Sequence, residues 1–484
     1  MHGVTGVPAS YRPTAVGRRD GSPRGSGRRG GRSWDPRPGH VPAPTPPPEA
    51  TGLSAPIRYE SKRIADDDNW TLAAGSAAVN GDRRVVAAVI ASTFFVGFGG
   101  GVVFPILPNL EAVLGISPFV VGIILSANRF ARLLANAPAG SLVDRIGTRT
   151  PFVAGLLVEA VAVFGYVVAL RVPAPEAWFV AARLLWGLGS AAVFATAYTI
   201  AADVSDGGSR GTNMGVVRGG ITLGFPAGLV LGGVVSDVYS VEAAFIVAAG
   251  FALFATTLAY LLVPETHVST NRTAVKPWEI DTTTSTVTVG LVNFGLFFAY
   301  LGALFSTLVL FVDAQELLVL GYGPQGTSGV MMAVTVLASS VLMLAGGNYS
   351  DSTGQRVPVL VTFLAVSFVG YTLLAWANSM PALVGACVLI GAGFGGTSGP
   401  LMALLADLTP AERMGRATGT NNVLGDLGGG LGPLITLPII DRIGFAPVYV
   451  ACAVIPLAAG VVMVAGVYTE TGTVNPDTGF EAGE

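Results

Sequence analysis

The chain has 484 residues, of which 51% are hydrophobic and 12% are charged, and its formal net charge is −3. This balance, together with 65 glycines, excludes a soluble globular protein of ordinary surface and predicts an all-α integral membrane protein. The two cysteines lie within apolar runs and the three histidines are scattered, so neither a disulfide framework nor a metal cluster is expected. An enzyme is disfavoured, because no nucleophile with a base and no nucleotide-binding loop is apparent, and no cofactor is expected.

The first segment, residues 1–82, is rich in Arg, Gly, Pro and Ser and is predicted to be a disordered cytoplasmic tail. Its basic run, residues 24–32, has a composition that also suits RNA or anionic lipid. A solvated tail is the favoured interpretation, and no nucleic-acid partner is expected.

Twelve apolar runs follow, each close to the roughly 20 mostly apolar residues that a helix needs to cross the lipid bilayer. Their predicted limits are 85–107, 118–142, 151–170, 177–201, 213–235, 243–263, 284–312, 325–346, 358–377, 382–406, 417–439 and 445–467. The polar stretch 264–283 is predicted to be a cytoplasmic linker. It separates an N-terminal six-helix bundle, 83–263, from a C-terminal six-helix bundle, 284–468. A cytoplasmic tail, 469–484, is predicted to follow the second bundle.

Positive residues in the short loops predict the orientation of the spans. With the N-terminal tail inside, ten loop Arg and Lys residues lie inside, and only Arg171 and Arg442 lie outside. The prediction is therefore a multi-pass protein of the plasma membrane with both termini in the cytoplasm.

A charged segment between the second and third runs recurs once. The matching residues are Gly140, Asp144, Gly147, Arg149 and Pro151, and, 207 residues later, Gly347, Asp351, Gly354, Arg356 and Pro358. Further glycines and aspartates match at an offset of 204 residues, among them Asp203 with Asp407 and Asp237 with Asp441. Two halves related by a pseudo-twofold axis along the membrane normal fit a secondary transporter with its site between the halves.

The segment Gly140-Ser-Leu-Val-Asp144-Arg145-Ile-Gly147-Thr-Arg149 resembles the loop motif G-x-L-x-D-R-x-G-x-R of the major facilitator superfamily. The second copy matches that family's weaker echo, and the resemblance covers all twelve spans. It implies the major facilitator fold. In that family the loop Asp is thought to bind the start of helix 11 and adjoining basic residues, which locks the cytoplasmic side in one state. By position that role falls to Asp144, with Arg145 and Arg149 beside it.

Three further stretches resemble motifs of the family's drug:proton antiporter branch. The end of helix 1, from Phe98 to Pro108, resembles a P-x-x-P ending, and the run from Arg183 to Gly187 resembles the helix 4 motif R-x-x-x-G. Helix 5 matches the spacing of the antiporter motif, with Leu229 in place of its Pro, at Gly215, Gly224, Gly228, Gly232 and Gly233. Helix 11 carries glycines and a Gly-Pro pair at Gly428, Gly432 and Pro433. These small residues are expected to form close helix contacts, which are either purely structural or the seam on which the two bundles rock.

Ionisable residues inside the predicted spans are functional candidates, because a charge at mid-bilayer costs about 2.5–3.5 kcal/mol on insertion scales. They are Arg129, Arg132, Glu159, Arg183, Arg218 and Asp426.

Helix rise places Arg132 and Asp426 at similar depth, roughly 15 Å from the inner ends of helices 2 and 11. A contact between them is therefore allowed, either as a structural ion pair or as a coupling one. Glu159 is the leading proton carrier, because burial disfavours an ionised carboxylate. Arg183 would suit an anionic substrate group, or would raise the acidity of a nearby carboxyl.

The sequence as a whole predicts a secondary active transporter that works by alternating access and exports a small, partly apolar molecule, with protons as the coupling ion. One alternative is a proton symporter or uniporter for a sugar or organic anion. An alternative of another class is a transport-inactive membrane receptor or scaffold with the same fold.

Overall fold

A computed structural model describes residues 87–203, 210–266 and 280–475 of the chain. Within these ranges the protein is helical, without strands, and twelve helices are long and apolar enough to cross a membrane, as predicted. In chain order the spans, named α1 to α12, are Ala87–Leu114, Pro118–Ile146, Arg149–Ala169, Pro175–Asp203, Arg210–Val238, Val241–Leu262, Thr284–Ala314, Pro324–Thr353, Arg356–Ala375, Met380–Asp407, Met414–Ile443 and Phe445–Thr471. The predicted N-terminal tail and most of the predicted linker lie outside the described residues.

The two charged repeats are mostly helical, although the sequence placed them largely beyond the predicted ends of the second and eighth runs. The prediction was wrong at two helix ends, since α2 continues to Ile146 and α8 continues to Thr353. Each helix stops at the second glycine of its repeat, where φ is +90° at Gly147 and +65° at Gly354. A side chain disfavours that backbone conformation, so the glycine sets the helix end. The Asp of each repeat therefore lies in the last turn of a helix.

Two spans are interrupted within their length. Near its end α1 leaves the α-helical path and forms a short 3₁₀ helix, Leu107–Asn109, because prolines at 105 and 108 lack the N–H that a helix needs. In α7 the stretch Phe298–Leu304 is π-helical. Such widened turns are often found at functional sites.

The neighbours of each helix in the first six spans recur in the last six. Helix α4 packs against α2 and α3, and α6 packs against α3. In the second half, α10 packs against α8 and α9, and α12 packs against α9. Helix α5 lies along α1 just as α11 lies along α7. This equivalence follows from the sequence repeat, because matching residues form matching contacts.

The two halves meet where α2 packs against α11 and α5 packs against α8. The glycines that allow these approaches lie towards the end of the molecule that carries the α5–α6 and α7–α8 connections, called here the far end. There, a Cβ at Gly122 of α2 would lie 2.9 Å from the carbonyl oxygen of Pro433 in α11. Likewise, Gly233 of α5 packs against the backbone of Gln325 at the start of α8.

The opposite end carries the two charged repeats and is called here the motif end. One glycine from each of the four interface helices lies towards this end. These glycines are Gly140, Gly219, Gly347 and Gly415. A Cβ added at any of the four would meet no atom of another helix within 4 Å. The glycine contacts between the halves that the structure describes therefore lie at mid-depth and at the far end.

Candidate functional site

At mid-depth, charged side chains of α2 and α11 meet in one cluster. Arg132 donates hydrogen bonds to both carboxylate oxygens of Asp426, with Nε 3.3 Å from Oδ2 and Nη2 bonded to Oδ1. Arg129 Nη1 lies 3.2 Å from Oδ1 of the same carboxylate. The structure thus brings together the predicted Arg132 and Asp426, and it adds Arg129, for which the sequence predicted no partner.

Glycines on α11 make room for this cluster. A Cβ at Gly429 would lie 3.0 Å from the guanidinium carbon of Arg129, and one at Gly430 would lie 3.3 Å from the ring of Phe130. Ser126 donates a hydrogen bond to the carbonyl oxygen of Gly430. Because α11 presents bare backbone here, α2 approaches closely enough for two arginines to reach one aspartate.

The polar face of α2 becomes more exposed towards the motif end. Asn128 is buried, the Arg132 side chain is 21% exposed, and Asn136 is exposed. Leu134 is 77% exposed and lies about 200° around the helix from Arg132, on the opposite face. Lipid would lie against the apolar face, whereas on the polar face Arg132 contacts α11 of the other half and Asn128 contacts α4 of its own half.

Arg183 of α4 is buried and bonded to α2. Its Nε lies 3.2 Å from the carbonyl oxygen of Ile124, and its Nη2 lies 3.2 Å from that of Leu125 and 2.7 Å from Asn128 Oδ1. Its guanidinium carbon is 5.7 Å from the centroid of the Trp186 ring. In this conformation Arg183 therefore braces the helix that carries the charged cluster, and forms no ion pair with a described carboxylate.

Glu159 of α3 is 3% exposed, and its Oε1 has no hydrogen-bond partner among the described residues. Its side chain packs against α4, where a Cβ at Gly189 would lie 3.0 Å from its Cγ. Charged carboxylates are costly in such surroundings unless they are paired. Glu159 therefore differs from Asp426, whose charge is shared with two arginines.

The first charged repeat holds the start of the linker. Thr148 donates to Oε1 of Glu265 from its backbone N, at 2.7 Å, and from its Oγ1, at 2.9 Å. Arg149 N lies 3.3 Å from Oε2 of the same carboxylate, at the N-terminus of α3, where negative charge is favourable. A Cβ at Gly147 would lie within 2.7 Å of this carboxylate. Glycine is thus required at that position both for its φ and for the contact with the linker.

Asp144 and Arg145 are exposed in the last turn of α2. Asp144 has no hydrogen bond or ion pair with any residue that the structure describes, so the contact with the start of helix 11 implied by the resemblance is not made in this conformation. Arg149 instead bonds the carbonyl oxygen of Tyr260 in α6, at 2.8 Å.

The second charged repeat makes its ion pairs within its own half of the molecule. Arg356 forms ion pairs with Asp351, at the end of α8, and with Asp407, at the end of α10, where Nε lies 2.9 Å from Oδ2. Its Nη1 also lies 3.1 Å from Ser350 Oγ. The two copies of one motif therefore have different partners: the first contacts the linker, and the second joins three helices of its own half.

Of the glycines predicted to line helix contacts, those on α5 and α11 that the structure describes do so. Gly224, Gly228 and Gly232 of α5 pack against the backbone of α1, and Gly428 and Gly432 of α11 pack against the backbone of α7. Gly233 and Pro433 lie instead at contacts between the halves, with α8 and α2 respectively. Gly215 and Arg218 lie outside the described side chains.

Asp237 was not among the predicted site residues, although the sequence repeat includes it. It lies at the end of α5, and its Oδ2 accepts a hydrogen bond from Gly326 N, at 2.6 Å, in the first turn of α8. A Cβ at Gly323 would lie 2.9 Å from its Oδ1. An acid at a helix N-terminus is stabilising, and here the acid and the helix belong to different halves.

Asp281, just before α7, is a second residue that sequence reasoning missed. Its N donates to Thr420 Oγ1 of α11, at 3.0 Å, and its Oδ1 accepts from Thr283 N, also at 3.0 Å. Desolvation acts to raise the pKa of Asp281, but the hydrogen bonds from Thr283 and the charges of Arg413 and Arg416 outweigh it and hold the pKa below its usual value. The carboxylate is therefore charged and fastens the start of α7 beside α11.

Comparison with known proteins identifies the family. Residues 89–433, and in a second match residues 296–482, correspond to the Major Facilitator Superfamily. Multidrug resistance protein 2 of Bacillus subtilis is 22% identical over 395 residues, covering 79% of this chain and 96% of that protein. Quinolone resistance protein NorA of Staphylococcus aureus is 23% identical over 383 residues, covering 77% of this chain and 93% of that protein.

Among solved structures, a bacterial homologue of the human lysosomal transporter Spinster, in an inward-facing and unoccupied conformation, superposes with a TM-score of 0.65. It is 14% identical, and the match covers 80% of this chain and 95% of that one. The superposition shows a shared fold. With twelve apolar spans and matches over most of its length, the chain belongs to the Major Facilitator Superfamily and is a multi-pass membrane transporter of small molecules, not an enzyme.

Proposed function

We propose that the protein is a secondary active transporter that exports a small, partly apolar molecule in exchange for protons. The observation that carries this proposal is the charged cluster at mid-depth, in which Arg129 and Arg132 of one half share Asp426 of the other. Charges at that depth are costly and are commonly found where a transporter binds its substrate or coupling ion. Because the cluster joins the two halves, any event that changes its charge also changes the contact between them.

The moving bodies in this proposal are the two six-helix bundles, 83–263 and 284–468, connected by the linker 264–283. Contacts between the halves at the far end and open space beside the interface glycines at the motif end support an open motif end. The likeness to a transporter fold in an inward-facing conformation supports the same interpretation.

In this proposal the motif end faces the cytoplasm, both termini are cytoplasmic, and the protein resides in the plasma membrane. The excess of positive residues in the loops at that end supports this orientation, because such loops are retained on the cytoplasmic side. The names of the relatives in Bacillus subtilis and Staphylococcus aureus, which refer to multidrug and quinolone resistance, support export as the direction.

Two further residues have assigned roles in this proposal. Glu159 carries the coupling proton, because its carboxyl is buried and its Oε1 has no hydrogen-bond partner among the described residues. Asp144, which is exposed and has no partner among the described residues, binds the start of α11 when the motif end closes.

The test is flux in proteoliposomes across a chemically diverse panel of substrates, with a pH gradient imposed in either direction. Proton exchange predicts that substrate accumulates on the side that is more acidic. Accumulation on the opposite side would indicate symport of a sugar or organic anion, and flux that ignores the gradient would indicate uniport. If no partly apolar member of the panel moves, the proposed substrate class is wrong.

A further inference from the structure

We infer that Arg129 and Arg132 bind an anionic group of the transported molecule, a carboxylate in the simplest case, and that this group displaces the carboxylate of Asp426. The inference rests on the proposed transport function and adds to it the chemical class of the substrate.

The cluster carries more positive than negative charge. Arg132 uses its fork of donors on both oxygens of Asp426, whereas Arg129 has a single hydrogen bond to that residue, at 3.2 Å. A guanidinium has five N–H donors, so most of those on Arg129 have no described acceptor. Two cations therefore share one anion at mid-depth, and the excess positive charge favours binding of a second anion.

The other charged groups nearby do not remove this excess. Arg183 adds a further positive charge and contacts backbone carbonyls and an amide oxygen. Glu159 forms no ion pair with a described residue, and the remaining described carboxylates of the spans lie near helix ends. Within the described part of the membrane interior, cations thus outnumber paired carboxylates.

Arg132 is also accessible to a substrate that enters from the motif end. Arg132 lies on the polar face of α2, opposite the exposed Leu134, and the exposed Asn136 is one turn closer to the motif end. The guanidinium carbon of Arg132 is also 5.8 Å from the centroid of the Phe194 ring in α4. A charged group beside an aromatic surface suits an anion attached to an apolar body.

Substrate binding at this cluster would also affect the movement of the two halves. One guanidinium fork accommodates one carboxylate in the bidentate arrangement, so a substrate carboxylate on Arg132 competes with Asp426. Once Asp426 is displaced, the ion pairs between α2 and α11 are lost. Substrate binding would then loosen a contact that holds the halves together at mid-depth.

The experiment measures binding to the purified full-length protein by equilibrium dialysis, without any gradient. The radiolabelled probes are 2-naphthoate, its neutral amide and 2-naphthylmethylammonium, which share one apolar body and differ in charge. We expect saturable binding of 2-naphthoate, weakened about ten-fold by Arg132→Gln and by Arg129→Gln, the effect typical of losing a charged hydrogen bond. Asp426→Asn should strengthen naphthoate binding, because the competing carboxylate is gone.

The control is Asp441→Asn, which makes the same change on α11 at an exposed position. It should leave binding unchanged. Weaker naphthoate binding by Asp426→Asn, preference for the ammonium probe, or no saturable naphthoate binding would each overturn the inference.

If Asp426→Asn does not fold, the double variant Arg129→Gln with Asp426→Asn removes one cation and one anion together. It should bind naphthoate more tightly than Arg129→Gln alone, and weaker binding counts against the inference. Because binding is measured without flux, loss of proton coupling would overturn the proposed function and leave this inference standing. Proton-driven export together with naphthoate binding that neither arginine substitution changes would overturn this inference and leave the proposed function standing.

Discussion

At the scale of single residues, the buried charges of the spans have different partners, and the partners separate their roles. Asp426 is held by two arginines of the other half, so its charge is stabilised in this conformation. Glu159 is as deeply buried, and its Oε1 has no hydrogen-bond partner in the part of the chain that the structure describes. We therefore expect Glu159, and not Asp426, to be the group that takes up a proton during a cycle, because Glu159 forms no ion pair with a described residue.

For this reason we expect Glu159→Gln to abolish uphill transport driven by a pH gradient while substrate exchange down its own gradient persists. The amide has the size of the protonated acid but cannot release a proton. Flux in proteoliposomes measures both activities. Glu111→Gln, at an exposed position at the end of α1, is the matched control and should behave as wild type. Wild-type uphill transport by Glu159→Gln would move the proton site elsewhere.

Which residues carry charge within the membrane could be predicted from the sequence, because apolar surroundings make them conspicuous. The depth argument also predicted that Arg132 can reach Asp426. The partners of Arg129 and Arg183 could not be predicted, because they depend on which face of α2 contacts α4 and which contacts α11. That choice is made by glycines such as Gly187 and Gly429, whose role appears only when the helices are packed.

At the scale of helices, the contact of α5 with α1 depends on missing side chains. A Cβ at Gly228 would overlap the backbone of Phe98, whereas one at Gly219 on the same helix would meet nothing within 4 Å. The backbone cannot yield as a flexible side chain can, so the two positions should respond differently to the same substitution.

Gly228→Ala should therefore destabilise the protein by about 1–3 kcal/mol, the range typical of overpacking. Gly219→Ala should be close to neutral. Thermal unfolding in detergent, compared between the two variants, measures the difference. Equal stability would show that α1 and α5 do not approach as closely as the structure indicates.

The contact of α5 with α8 adds a hydrogen bond between the halves at the far end. Asp237 bonds the N-terminus of α8, whereas its counterpart in the repeat, Asp441, is exposed and has no described partner. A carboxylate at a helix N-terminus is favourable, and the amide of Asn keeps the size but loses the charge.

Asp237→Asn should consequently raise the exposure of the far end, while Asp441→Asn should not. The measurement is the rate at which a membrane-impermeant thiol reagent labels a cysteine placed at Gln325, in the α5–α8 contact. The two native cysteines are buried, which limits background labelling. Equal labelling rates in the two variants would mean that the hydrogen bond does not hold this end closed.

The helix ends show where the sequence pattern was insufficient at this scale. Hydropathy placed the end of α2 at 142 and that of α8 at 346, because polar residues follow. Helical geometry continues through those polar residues to the glycines at 147 and 354, where positive φ ends the helix. The spacing of the repeat included both glycines, so the corrected ends could have been predicted from turn geometry and not from hydropathy.

At the scale of the whole molecule, the number of spans and the family could be predicted from the sequence, because both depend on length, hydropathy and a repeated motif. The conformation could not be predicted. It depends on small differences in free energy between alternative contacts of the same four helices, α2, α5, α8 and α11. In the described structure the charged cluster joins α2 and α11 at mid-depth, and glycine contacts join the halves at the far end.

Alternating access requires the two ends of the molecule to open and close in opposite senses, and two distances measured on the same sample test this. Spin labels at Ile146 and Gly415 report on the motif end, and labels at Tyr239 and Leu320, which are 77% and 83% exposed, report on the far end. Pulsed distance measurements are made on both pairs in lipid nanodiscs at neutral and acidic pH, with and without a transported substrate. We expect reciprocal changes: whenever the motif-end distance shortens, the far-end distance lengthens in the same fraction of molecules. Distances that stay fixed under every condition, or that shorten together at both ends, would contradict it.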